Sequence, residues 1–435
     1  MTIETLHKLF LESTGVATDT RAIRNSQLFF ALKGDNFNGN LFAEKALLKG
    51  AGYVIVDEAL DESNERYILV DDVLETLQKL STYHRKFLKI PILAITGSNG
   101  KTTSKELIHA VLKRKFNTVA TVGNLNNHIG VPLTLLSMNS KTEFGIVEMG
   151  ANHPNEINKL CEIAKPNYGY ITNFGKAHLE GFGSLEGVIK AKSELYNYLI
   201  KNEGLLFLNS DDPIQRNQIN YGKVFTFGES ESPDVKLKYL TNTNKAEVFH
   251  ESFTIKSQLT GSYNAVNLGA AICIGSYFKV SRESIQKAIF QYSPKNNRSQ
   301  IIKLGDNSLL MDAYNANPTS MRAALDSFKE SPYFKKIAIL GDMFELGASS
   351  KEEHQCIVDY LESIDIEKAF IIGSNFFKTH SNNDKIQKFE AFSDFEKELE
   401  TTSFNDSYVL IKGSRGMALE RVLEILKNKE ISSKN

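Results

Sequence analysis

The apolar run Ile92-Leu93-Ala94-Ile95-Thr96 breaks into Gly97-Ser98-Asn99-Gly100-Lys101-Thr102-Thr103 and then into a helix-forming stretch. A buried strand, a glycine loop and a helix start in that order are the context of a phosphate-binding loop. Glycines let the backbone wrap closely around an anion, and the free N–H groups of a helix start point at it. Lys101 would neutralise the outer phosphates and Thr102 would offer its hydroxyl to Mg²⁺. The usual pattern has a glycine six residues before the lysine; here Ile95 stands there, so this is the shorter G-x-x-G-K-T-T form. A plain glycine turn with an exposed lysine is the competing explanation. It does not account for strand, loop, lysine and paired threonines falling together.

The loop sits in a chain of 435 residues, long enough for about three domains. Residues 1–88 hold short β-like runs (Gln27–Leu32, Tyr53–Val56, Tyr67–Val70) and an amphipathic helix over Val73–Leu88. Pro91 then opens a new unit. Over residues 89–296 the strands Ile92–Thr96, Thr118–Thr121, Gly145–Met149, Tyr168–Asn173 and Leu205–Asn209 alternate with helices Lys105–Lys115, Glu156–Ala164 and Leu185–Leu199. That alternation predicts a mostly parallel sheet covered on both faces. The polar, β-rich stretch Val224–Leu259 reads as a small antiparallel insertion, and Ser293–Asn297 as a linker. Residues 297–435 repeat the α/β texture, with strands at Ser308–Asp312, Lys336–Gly341, Ala369–Gly373 and Ser407–Lys412. A frayed polar tail is expected from Lys427 to Asn435.

Basic and acidic side chains number 51 and 52, a formal net charge of -1. No global basic field recruits nucleic acid or an anionic membrane, so an anionic ligand must be held by local groups. Cys161, Cys273 and Cys356 are too scattered for a disulfide framework and fit a reducing compartment. Met1–Phe10 lacks the pattern of a signal peptide, and no apolar run approaches membrane-helix length. The expectation is a cytoplasmic protein without stable membrane association.

Further candidates come from position. Glu148 ends the strand Gly145–Met149, at the crevice where open α/β sheets bind ligands, and suits Mg²⁺ beside phosphate. His178 follows the next strand; from its own surroundings it is as readily structural. Lys192 lies inside a predicted helix, where a solvated lysine paired with nearby acids is the ordinary outcome. Asn126 and Asn127 lie in a polar loop and equally suit a ligand or a satisfied turn. Lys412, Ser414 and Arg415 follow the last apolar strand and precede a helix, offering two cations and backbone donors as a carboxylate clamp.

These residues resemble the Mur ligase family of ATP-dependent amide-forming enzymes over nearly the whole chain. Four stretches are similar to the branch that adds the terminal dipeptide: Gly123–Pro132, Asp312–Pro318, Leu340–Gly347 and Lys412–Gly416. The D-N-P-R type motif of the ligase for the third stem residue does not occur. The resemblance implies an α/β chain of three domains: a small UDP-binding α/β domain, a central P-loop ATPase-like parallel-sheet domain and a C-terminal Rossmann-like domain. It implies ATP and two Mg²⁺ ions, and as substrates UDP-N-acetylmuramoyl-tripeptide and D-Ala-D-Ala, in a monomer. It makes Glu148, His178 and a carbamylated Lys192 metal ligands with Thr102. It places Asn267 at adenine, Arg298 at phosphate and Asp312 at ribose. Thr18, Asp19, Thr20, Arg21, Lys33 and Gly34, with Asn126 and Asn127, fall to the UDP substrate. Tyr314, Asn317, Ser414 and Arg415 fall to the peptide substrates. Where the family often has histidine, this chain has Asn40.

Two other readings stay open on the residues alone. One is a related ligase, such as a folylpolyglutamate synthase, against which the first segment and Asp312–Pro318 argue. The other is an NTP-dependent switch built on the same loop, which would bind nucleotide with little turnover.

Overall fold

The structure, a computed structural model, describes residues 1–60, 64–218, 220–241, 245–294 and 297–434. It is built on three main sheets in chain order. The first has four parallel strands, Val16–Ala17, Leu28–Phe30, Tyr53–Val56 and Tyr67–Leu69, in that spatial order. The helix Val73–Leu88 packs Leu77 and Leu80 into its core. The same helix points Arg85 at the second unit, where its guanidinium donates to Ala164 O at 3.1 Å and Asn167 Oδ1 at 2.7 Å. It therefore ties the first sheet to the second.

The second sheet has nine strands. Ile92–Thr96 is flanked by Phe144–Glu148 on one side and Tyr168–Ile171 on the other, both parallel to it. The chain leaves this strand in both directions, so its C-terminal end is a topological switch point, where such sheets bind ligands. Ile92, Leu93, Ala94 and Ile95 are fully buried. Each large aliphatic among them contributes about 1.5–3 kcal/mol before entropy is counted, which anchors the loop that follows.

The third sheet has six strands, with Gln300–Leu304 antiparallel at one edge and five parallel strands beyond it. Asn307–Asp312, Lys335–Gly341 and Ser407–Lys412 are neighbours and end at the same side.

The architecture is the α/β arrangement of three parallel-sheet units expected, with local differences. Val224–Leu259 is no separate insertion: Val224–Gly228 pairs parallel with Leu205–Asn209, and Val235–Leu240 extends the sheet in parallel. Only Lys245–His250 and Phe253–Thr260 turn antiparallel, at the sheet edge. The polar alternation that marked the stretch reflects one-sided burial, with Val235 and Leu237 inward and Lys236 and Lys238 outward. The helix read from Lys105 begins at Lys101 and ends at Leu112. Strands Gln300–Leu304 and Ile386–Phe389 were too polar to stand out. The helix Arg421–Lys434 runs through the stretch expected to fray, while Asn435 lies outside the described residues. Of the linker 293–297, residues 295 and 296 also lie outside them. Among the described residues no helix is long and apolar enough to cross a membrane.

Candidate active site

The phosphate loop runs between Ile92–Thr96 and the helix Lys101–Leu112. Two of its positions favour glycine. Gly97 has φ +137°, and a Cβ there would meet Thr172 Oγ1 at 2.0 Å; Gly100 has φ +76° and packs on Asn267. The loop is clamped to the next strand's end. Ser98 Oγ donates to Gly175 O at 2.9 Å, Asn99 N donates to Asn173 Oδ1 at 3.0 Å, and Thr172 Oγ1 donates to Asn99 O at 2.5 Å. Lys101 folds over the loop, its Nζ donating to Gly97 O at 2.7 Å. Burial lowers the Lys101 pKa, Glu148 opposes that shift, and the Arg298 charge adds to it.

Beside the loop, Glu148 is buried at the end of its strand. It accepts from Thr102 Oγ1 at 3.0 Å and from Asn126 Nδ2 at 2.8 Å. Beneath it Lys105, fully buried, lies 3.6 Å from its Oε2 and donates to Thr121 O at 2.6 Å. Glu148 and the Thr102 hydroxyl set hard oxygens side by side next to the loop, donors of the kind that could hold a Mg²⁺ ion. Among the described residues no three or more His, Cys, Asp or Glu gather into a metal-binding group.

His178 stands at the lip, with Nδ1 against the Glu345 carboxylate. Both residues take positive φ, 52° and 61°, in a region that favours glycine. Glu345 comes from the loop after Lys335–Gly341, so the pair joins the second and third sheets. His178 holds the Glu345 carboxyl below its ordinary pKa. Lys192 is fully buried behind the site, its Nζ donating to Ala151 O at 3.0 Å and lying over the Phe182 ring. Burial, helped by the charge of Lys101, lowers its pKa to about 7.

The third unit closes the other side. Tyr263 Oη shares a hydrogen bond of 2.8 Å with Ser299 Oγ, and Ser299 N donates to Asp312 Oδ1 at 3.0 Å. The Arg298 guanidinium stacks 3.6 Å from the centre of the Tyr314 ring. Asn317 caps the helix Pro318–Glu330 and donates through Nδ2 to Asn99 Oδ1 at 2.7 Å.

Together these walls enclose a cleft of about 1180 Å³. Ser98 to Thr102, Glu148, His178 and Asn267 line it from the second unit; Asn126 and Asn127 line it from the polar loop. Arg298, Asp312, Tyr314 and Asn317 line it from the third. Gly97, Thr103 and Lys192 are not in its wall. Asn127 uses its Oδ1 on Gly130 N at 2.9 Å, the satisfied turn.

Other candidate residues are held by neighbours or stand apart from the cleft. Lys412 is not a free cation: it is buried, with Nζ donating to Asp312 Oδ2 at 2.5 Å. Ser414 ties two loops together, accepting from Phe344 N at 2.8 Å, and Arg415 pairs with Glu420 at 2.8 Å; neither lines the cleft. In the first unit, Arg21 pairs with Asp19 at 2.7 Å, holding that exposed carboxyl at a pKa of about 2. Lys33 pairs with Asp57 and Glu58, each at 2.9 Å, and Gly34 lies in its short hairpin. Asn40 is buried, donating to Asp57 Oδ1 at 2.8 Å. None of Thr18 to Arg21, Lys33 or Gly34 reaches the cleft wall. Asn173, Lys105 and Glu345 were missed. Asn173 lies just beyond a strand end, the same signal that marked Glu148; Lys105 and Glu345 carry no local signal.

Comparison with known proteins decides the family. The chain matches the Mur ligase family catalytic domain over residues 12–85, the Mur ligase middle domain over 95–275 and the Mur ligase glutamate ligase domain over 297–415. The chain belongs to the Mur ligase family. It is 35% identical to UDP-N-acetylmuramoyl-tripeptide–D-alanyl-D-alanine ligase of Bacillus subtilis, covering 95% of this chain and 93% of the relative. The namesake of Escherichia coli is 33% identical, with 94% and 93% covered. Among solved structures, MurF from Acinetobacter baumannii superposes with TM-score 0.86 at 28% identity, 98% of each chain covered. MurF ligase from Thermotoga maritima in complex with ADP superposes with TM-score 0.85 at 28% identity, covering 98% of this chain and 99% of that one. The Mur ligase fold thus accounts for all three sheets, and the cleft lies where its middle and C-terminal parts meet.

Proposed function

We propose that this Mur ligase joins D-Ala-D-Ala to UDP-N-acetylmuramoyl-tripeptide at the expense of ATP, giving the UDP-MurNAc-pentapeptide of peptidoglycan synthesis. The observation that carries the reading is the cleft shared by the phosphate loop and the Asp312–Pro318 segment, together with full-length relatives of that activity. Residues 1–88 take the UDP-sugar, 89–296 take ATP and metal, and 297–435 take the incoming dipeptide. The protein works as a cytoplasmic monomer.

The reaction must bring a carboxylate to an anionic phosphate. The terminal carboxylate of the tripeptide attacks the γ-phosphorus, the bond to the β-phosphate oxygen breaks, and ADP leaves. The amine of D-Ala-D-Ala then attacks the acyl carbon; phosphate departs with the carboxylate oxygen, and the amine loses a proton. Lys101 and the loop amides offset charge on the transferred phosphoryl group. Asn267 faces adenine, Asp312 the ribose and Arg298 the phosphates. Thr102, Glu148, His178 and Lys192 would hold two Mg²⁺ ions, which supply Lewis-acid stabilisation of the phosphate oxygens. With Nδ1 against Glu345, Nε2 is the His178 nitrogen that would be left to hold a metal. A Lys192 amine with a pKa near 7 is neutral in part at physiological pH. A neutral amine adds CO₂ and releases a proton to give a carbamate, an oxygen ligand where a cation stood.

Omitting substrates one at a time tests the reading. Phosphate release from ATP should require both UDP-MurNAc-tripeptide and D-Ala-D-Ala. Release that ignores either one would favour the nucleotide-switch alternative.

A further inference from the structure

The contact between Asn99 and Asn317 spans 218 residues of sequence and joins the phosphate loop to the third unit. Its polarity can be worked out from the backbone. Ser320 N–H, a donor, points at Asn317 Oδ1 at 2.9 Å. The other end of that side chain, Nδ2, therefore faces Asn99, and only an acceptor can meet it. Asn99 must present Oδ1, which leaves its own Nδ2 as the free end. That Nδ2 is buried and has no partner among the described residues, in a side chain that lines the cleft. The rest of Asn99 is held: its N–H by Asn173 Oδ1 and its carbonyl by Thr172 Oγ1 and, at 3.1 Å, Asn173 Nδ2. Only the amide flip is left to be set, and the helix cap of the third unit sets it.

We propose that Asn317 is a positioning residue: seated on the phosphate loop, it fixes the Asn99 amide so that Nδ2–H is offered to the phosphoryl group being transferred. Without that contact the amide is free to turn its oxygen toward the anion. Seating of the third unit thereby completes the phosphate site as well as enclosing it. The inference rests on the ligase reading and assigns Asn317 a task other than peptide binding.

The decisive variant is Asn317→Asp. Aspartate caps a helix as well as asparagine does, so the fold should hold. A carboxylate facing Asn99 accepts only, so the Asn99 amide must reverse and aim its oxygen at the phosphate. We expect kcat to fall by about 100-fold or more, the range for a lost oxyanion donor, with the melting temperature unchanged. In an Asn99→Ala background the same substitution should change kcat by less than about 3-fold, because the group it acts through is gone. Retention of kcat within about 3-fold by Asn317→Asp, or an equal loss in both backgrounds, would overturn the proposal. If Asn317→Asp fails to fold, Asn317→Ser keeps a capping oxygen without holding the amide and is judged by the same comparison. Affinity for ATP relative to ADP, measured without other substrates, should fall about 10-fold in both Asn317→Asp and Asn99→Ala. An unchanged ratio would contradict the proposal even if the wild-type protein proved to use different substrates.

Discussion

Lys101→Ala should abolish phosphate release, lowering kcat by at least about 100- to 1000-fold, the scale of one preorganised donor at a transition-state anion. The fold should survive, because the hydrogen bonds of this side chain stay within the loop. Its Nζ bonds are to Gly97 O and Ser98 O, both within the loop. The loop itself is pinned elsewhere, through Ser98 to Gly175 and Asn99 to Asn173. Steady-state kinetics with a melting curve checks both halves. Substantial residual turnover would remove the loop from the chemistry, and a collapsed melting temperature would make Lys101 structural.

Lys192→Met separates stability from function in the opposite sense. Met is of similar length and carries no charge. Burial lowers the Lys192 pKa from about 10.5 in an unfolded chain to about 7. Folding therefore disfavours the ammonium form. Above the unfolded pKa both states are neutral and nothing is lost. As pH falls toward 7 the native state is increasingly penalised, and below that the penalty is complete. In CO₂-free buffer without nucleotide, Lys192→Met should thus be more stable than wild type at neutral pH, by at least about 1 kcal/mol, with the gain vanishing toward pH 11. Turnover should be lost at every pH, and bicarbonate should stimulate only the wild type. Chemical denaturation across pH and an activity assay with and without bicarbonate measure this. A variant that is active, or stabilised equally at pH 7 and pH 11, would contradict the assignment.

What could be read from sequence follows from how local each signal is. The strand Ile92–Thr96, the loop and the threonines are contiguous, and both glycines are favoured by backbone geometry that the sequence announces. Glu148 was legible because a strand end in an open sheet is a defined place. The cleft's other half was reached only through family likeness: Arg298 and Asn317 carry no local mark of lining it, and Asp312, though at a strand end, gives no sign of which cleft its sheet faces. Lys412 misled for a physical reason: a lysine at a strand end looks like a free cation until its partner, Asp312, is seen on the adjacent parallel strand. Lys105 and the His178–Glu345 pair were invisible because each depends on segments brought together by packing. The antiparallel reading of Val224–Leu259 holds for Lys245–His250 and Phe253–Thr260 but not for Val224–Gly228 and its pairing with Val235–Leu240, because one-sided burial in a parallel strand imitates an antiparallel ribbon.

The central claim is that the tripeptide carboxylate is activated as an acyl phosphate and then passed to D-Ala-D-Ala. Supplying the tripeptide with its terminal carboxylate labelled with ¹⁸O, together with ATP and the dipeptide, tests it in one mass-spectrometric measurement. The account predicts UDP-MurNAc-pentapeptide and inorganic phosphate carrying one labelled oxygen per turnover. Pentapeptide formed together with phosphate free of label would contradict it.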